Sequence, residues 1–278
     1  MQRPDSRNAH RHRNYAGVRA WRCLRFFAAA FGFALIWLPL LCLVIWSFRV
    51  HNLATDESSW SLANYVRVAR DPSLVGPLFR SLIVALSTAV LAGVIGTASA
   101  LAARRSRFAV RNLPGAFGVL TLALPEVVLG IGLLVWFSVL RIELGFVSLL
   151  IAHTTFCIGY VFVSVEARLA RFEAQIEEAA TDLGATPFQA FRLVTLPMLA
   201  PAIFAGAALA FVLSFDDFVV SFFTTGVGFD TLPIKLYSMI KFGLDPGIYA
   251  LSTLLLVLTS AGAWLVLRET APRRISRN

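Results

Sequence analysis

Six long stretches of this chain are nearly or wholly free of charge, and nothing else constrains its fold as strongly. Residues 26–48, 81–103 and 247–267 hold no Asp, Glu, Lys or Arg. Residues 144–165 hold none either, with His153 as their one imidazole. Residues 113–140 hold only Glu126, and residues 198–225 only Asp216 and Asp217. Each run supplies the ~20 apolar residues that a helix needs to cross a bilayer. With 58% hydrophobic and 15% charged residues, the chain is too apolar for an ordinary soluble domain. The expected fold class is an all-α membrane protein with six transmembrane helices.

Orientation follows from where the basic residues fall. Of the 25 Lys and Arg, eighteen lie in residues 1–25, 104–112, 168–197 and 268–278, and six in the alternate segments. Arg80, at a helix entrance, is the last. The positive-inside rule then puts both termini in the cytoplasm. The expected division is a basic cytoplasmic tail at 1–25, a membrane domain at 26–267 and a second cytoplasmic tail at 268–278. A nucleic-acid-binding arm is set aside, because the arginines of residues 3–25 directly abut a span. The uncharged run 26–48 is too long for the apolar region of a signal peptide, and no small-residue cleavage pattern follows it. Cys23, Cys42 and Cys157 are isolated from one another and suggest neither a disulfide framework nor a metal site.

Two runs carry small residues four apart: Ala92, Gly96 and Ala100 in one, Ala202, Gly206 and Ala210 in the other. Such stripes let helix backbones approach closely in lipid, so both are expected to be packing faces.

Catalytic signatures are missing. The chain has no phosphate-binding GxxxxGK[ST] loop, no GxSxG elbow, no HExxH pair and no zinc spacing, and its only lysines are Lys235 and Lys241. What remains is acid inside the spans. Glu126 follows Pro125 well within its run, near the bilayer midplane, and Asp216 and Asp217 fall in the outer third of theirs. A carboxylate facing lipid costs roughly 2.5–3.5 kcal/mol on insertion scales, so these groups face protein or water. Three readings stand: a cation path, pairing with a neighbouring subunit or with unwound backbone near Pro125, and a proton relay. Trp136, Phe137, Phe215, Phe218, Phe222 and Phe223 accompany the acids, and acid with aromatic suits an organic ammonium. Phenylalanine is abundant throughout, and core packing accounts for most of it.

Between two runs lies a polar segment with strong helix signals. Ile176, Ala179, Ala180 and Leu183 fall at i, i+3, i+4 and i+7, one apolar stripe over 173–183. Gly184 supplies a helix stop. Thr186, Pro187 and Gln189 read as the cap, first position and third position of a second short helix. The first helix carries Glu173, Glu177, Glu178 and Asp182 and no basic residue. An anionic leaflet repels such a surface, so the segment is expected to dock on another protein.

The pattern Glu178-Ala179-Ala180, Leu183-Gly184-Ala185, Phe191 and Leu196-Pro197 resembles the EAA loop of ABC-importer permeases. Residues 213–223 and 231–241 are similar to the spermidine/putrescine branch, in particular its C-type subunit, with Leu124-Pro125-Glu126 in place of a Leu/Met-Pro-Asp. The resemblance spans 26–267 and implies a type I (MetI-like) permease in a bacterial inner membrane, importing polyamines. Other organic cations, amino-acid-like compounds and ferric complexes are alternative cargoes within that family. It implies a coupling loop at 173–197 carried by Glu178, Ala179, Ala180, Leu183, Gly184, Phe188, Phe191, Leu196 and Pro197. Glu126, Asp216, Asp217, Trp136 and Phe222 would line the substrate pathway. It implies a heterodimer with a second permease, two ATPase subunits and a periplasmic binding protein around a lipid-embedded chain, with no nucleic acid. The chain itself would hold no metal or cofactor, ATP and Mg being on the ATPase. From a different class, a stand-alone secondary transporter would use the acids directly and leave the acidic loop unexplained.

Overall fold

The computed structural model describes residues 6–52, 57–105, 122–170, 174–242 and 247–270, with single positions at 116, 118 and 120. Residues 1–5 of the basic tail, 106–112 of the basic loop, Glu173 and the tail from 271 lie outside the described residues. In chain order come α1 (Ser6–Ser47), β1 (Arg49–Asn52), β2 (Glu57–Trp60), α2 (Ala63–Arg70) and α3 (Pro72–Arg105). Then follow α4 (Glu126–Val139), α5 (Phe146–Leu169), α6 (Ala174–Asp182), α7 (Pro187–Ala190) and a π-helical turn (Phe191–Thr195). The chain continues with α8 (Leu196–Asp216), α9 (Val219–Thr224), α10 (Leu232–Phe242) and α11 (Gly247–Thr270).

The protein is helical almost throughout, as the uncharged runs require. Among the described residues, four helical stretches are long and apolar enough to cross a membrane: Arg25–Ser47, Pro72–Arg104, Phe146–Leu169 and Pro187–Asp216. The other two runs contain shorter apolar helices, Glu126–Val139 and Gly247–Ala261. Two runs expected to be continuous are interrupted. The run 113–140 bends at Leu124 and Pro125, since proline lacks an N–H and pushes the residue before it out of the helical region. Glu126 therefore opens a helix instead of sitting within one. The run 198–225 breaks at Asp217 and Phe218. A third feature is small: β1 and β2 pair antiparallel, with Arg49 opposite Trp60.

Two compact units divide the chain, residues 1–66 with 246–254 and residues 67–245 with 255–278. In the first, the Asn64 amide donates to the carbonyls of Ser47 and Arg49 at 3.1 and 3.0 Å. It thereby satisfies an acceptor that the end of α1 leaves open. Tyr65 and Ser47 hydroxyls lie 2.6 Å apart beside it.

In the second unit, α3, α5 and α8 form the core. Both small-residue stripes close on α5, and at the same residue. Gly96 of α3 and Gly206 of α8 each lie against Val161, while Ala92 and Ala210 are fully buried. The close approach lets polar groups reach across: Ser164 donates to the Ala202 carbonyl at 2.9 Å. Arg104 reaches the last carbonyl of α5, at Leu169, at 3.2 Å. Asp71 caps α3, accepting from the Ser73 N–H at 2.8 Å. The Ser73 hydroxyl and N–H hold its carboxyl below the ordinary carboxylate range.

Candidate functional site

Two local structures stand at opposite ends of α8. Its 21 residues make a rod of about 30 Å between them.

At the first end is the elbow formed by α6, α7 and the π-helical turn. α6 stops because Gly184 adopts φ +88°, a left-handed backbone that a side chain would resist. Around it the Ala185 N–H bonds to the Ala180 carbonyl at 3.1 Å and the Gly184 N–H to Thr181 at 2.9 Å. That pair of bonds is a Schellman stop. α7 then starts on a reciprocal cap: the Gln189 N–H donates to Thr186 Oγ1 at 3.3 Å, and the Thr186 N–H to Gln189 Oε1 at 2.8 Å. Pro197 accounts for the widened turn that follows. It cannot donate to the Leu193 carbonyl, and the turn instead closes from the Leu196 N–H to Phe191 O.

The elbow is folded on its own terms and uncovered. Leu183 is 90% exposed and Phe188 68%. Ile176, Glu178, Ala179, Leu196 and Pro197 are exposed too, with Ala180 and Phe191 half-buried. Leu183 and Phe188 both stand on a segment whose turn and second helix are sharply capped.

At the other end of α8 the chain breaks. Asp217 is extended, at φ −65° and ψ 123°, and its carboxylate caps α9. Oδ1 accepts the Val220 N–H at 3.2 Å and Oδ2 the Ser221 N–H at 2.7 Å. The ring of His153, from α5, is 1% exposed and sits against the break. Nδ1 lies 2.7 Å from the Ser214 hydroxyl on α8. Nε2 lies 3.0 Å from the Ser221 hydroxyl on α9 and 3.4 Å from Asp217 Oδ2. Asp216, the last residue of α8, is exposed.

The remaining predicted residues divide in the same way. Glu126 is exposed in the first turn of α4. Its helix packs on α9 so tightly that a Cβ on Gly130 would sit 2.7 Å from the Phe223 ring. Trp136 is half exposed and leans on buried Phe137, with ring centroids 5.9 Å apart. Phe222, 54% exposed, tilts against Phe218, which tilts in turn against Tyr237 with ring centroids 4.8 Å apart. Sequence reasoning missed His153, Ser214, Ser221 and Tyr237 as members of this cluster. The available signal was a lone imidazole in a span otherwise free of charge, since a polar group there needs a partner within the protein.

Residues 93–268 match a family model described as "binding-protein-dependent transport system inner membrane component". The spermidine/putrescine transport system permease protein PotC of Escherichia coli (strain K12) is 40% identical over 229 residues, 82% of this chain and 86% of that protein. The putrescine transport system permease protein PotI of the same strain is 37% identical over 256 residues, 88% of this chain and 90% of that one. A solved bacterial ABC transporter involved in import of the acidic polysaccharide alginate superposes with TM-score 0.71, at 13% identity, over 98% of this chain and 100% of that chain. An amino acid ABC transporter gives TM-score 0.58 at 17% identity over 75% and 96%. At such identities the solved structures speak to the fold alone.

Proposed function

Since this chain belongs to the family of binding-protein-dependent transport system inner membrane components, we propose that it is the permease through which an ATP-driven importer carries spermidine or putrescine into the cytoplasm. The observation that carries the cargo is the 40% and 37% identity to two polyamine-system permeases along more than four-fifths of the chain. In this reading six helices span the inner membrane with both termini cytoplasmic. A second permease completes the pathway, two ATPase subunits hold ATP and Mg, and a periplasmic protein delivers the cargo to residues 226–246.

The elbow is the coupling site. Glu178, Ala179, Ala180, Leu183, Gly184, Phe188 and Phe191 seat in an ATPase groove, and Leu196 and Pro197 begin the helix that carries the motion away. The uncovered apolar groups of α6 and α7 support this, because burying them requires a partner. ATP-driven closure of the ATPase pair then biases a two-state membrane domain through α8. Glu126 and Asp216, both exposed, line the cation route with Trp136 and Phe222. Asp217 is the buried member of the acid pair. A desolvated ammonium over such rings gains about 2 kcal/mol beyond its attraction to a carboxylate.

The test is ATP hydrolysis by the full assembly in proteoliposomes. Putrescine and spermidine, delivered by the binding protein, should stimulate it, and a neutral amino acid should not. Equal stimulation by the neutral solute overturns the polyamine cargo. Full uptake without the ATPase would make the chain a stand-alone carrier.

A further inference from the structure

The break between α8 and α9 has one local contributor, the Asp217 carboxylate that accepts the Val220 and Ser221 N–H groups. Residues 214–220 read Ser-Phe-Asp-Asp-Phe-Val-Val and contain neither Gly nor Pro. The stretch lies in an apolar run that would otherwise continue as helix. Beyond that cap it is distinguished by polar contacts made from outside, and these converge on one side chain.

His153 touches both sides of the break. Its Nδ1 meets Ser214 on α8, and its Nε2 meets Ser221 and Asp217 at the start of α9. Carboxylate oxygens accept, so Nε2 is the nitrogen that donates toward Asp217. In the neutral ring Nδ1 then accepts from the Ser214 hydroxyl. Asp217 is correspondingly used up. Two backbone N–H groups and the imidazole occupy its oxygens, and its side chain is 5% exposed. Its neighbour Asp216, one residue earlier, is exposed.

We propose that His153 is a positioning residue for cation passage: by fastening both sides of the break it turns Asp217 inward and leaves Asp216 as the acid that meets the cargo. This rests on the polyamine reading above. It divides the roles of two adjacent acids that charge alone would treat as equivalent. A continuous helix would set them about 100° apart on its surface, with neither held. The interruption takes Asp217 out of the helix and commits it to α9.

The test uses the assembled importer with His153→Ala, Asp217→Ala, the double variant, His153→Gln and Asp216→Asn. The readouts are putrescine imported per ATP hydrolysed and the thermal midpoint of the complex. Losing a charge-assisted buried hydrogen bond predicts that His153→Ala and Asp217→Ala each lower the import ratio about tenfold. The double variant should be no worse than either single, because both remove one coupling. Asp216→Asn should lower the ratio at least as far, and adding His153→Ala to it should cost little more, because His153 acts by presenting Asp216. His153→Gln, which still donates toward Asp217, should recover most of the ratio. A merely structural loss would lower uptake and hydrolysis together and leave the ratio unmoved, and that result overturns the proposal. So does a double variant whose loss is the product of the singles. Should the unmodified assembly import no polyamine, the cargo reading fails. Whether the midpoint shifts of positions 153 and 217 are non-additive then still decides if the two are fastened to each other.

Discussion

Gly96 of α3 lies against Val161 of α5 with no room for a side chain. A Cβ at position 96 would sit 2.8 Å from the Val161 Cβ and 3.0 Å from the Ile158 carbonyl oxygen. Gly206 of α8 reaches the same residue, where a Cβ would lie 3.0 Å from the Val161 Cα. In lipid, where burial of apolar surface drives nothing, this proximity is what joins three helices into one core.

Gly96→Ala should therefore destabilise the protein. Alanine gains up to about 1 kcal/mol over glycine in a helix interior. Overpacking costs about 1–3 kcal/mol, and a backbone carbonyl cannot step aside as a side-chain tip can. The control is Gly132→Ala on α4, which meets nothing within 4 Å. It should leave the thermal midpoint of the purified chain unchanged or raise it. Midpoints moving the same way in both variants would contradict the packing account.

Leu183→Asp and Phe188→Asp should separate docking from folding. Both residues are largely exposed, so the chain's own stability should stay within about 0.5 kcal/mol. Binding to the ATPase should fall at least tenfold, since each change puts a charge where an apolar contact is needed. Chain stability can be followed by thermal melting, and binding by co-purification of the ATPase. Retained binding with both changes present would show that the elbow is not the contact.

The elbow was legible in the sequence almost residue by residue, and the acid site was not. At the elbow every signal is local. A glycine after an apolar stripe, and Thr-Pro-x-Gln after that, specify backbone hydrogen bonds among residues fewer than six apart, and those bonds form. The stripes at Ala92 and Ala202 were legible for a related reason, because spacing on one helix sets a face even when the facing helix is unknown. The break at Asp217 is held, besides its own cap, by Ser214 and Ser221 meeting an imidazole more than 60 residues away in sequence. Hydropathy reads residues 198–225 as one span because Asp216 and Asp217 are its only charged residues. Glu126 was misplaced by the same blindness, since an uncharged run conceals where proline divides it.

Gly184 offers a graded test of the elbow. Nothing lies within 4 Å of a Cβ built there, so any penalty comes from the backbone at φ +88° and not from a clash. Asparagine tolerates that conformation best, and alanine pays about 1–2 kcal/mol to hold it. Proline does worse on two counts, because its φ is locked near −65° and it removes the N–H that bonds to Thr181. ATPase association and polyamine-stimulated hydrolysis should both fall in the order Asn, Ala, Pro. Insertion of the chain into the membrane should be the same for all three. A flat series in association would mean that the angle between α6 and α7 does not matter to the partner. A loss of insertion in the proline variant alone would instead place the fault in the fold of α8.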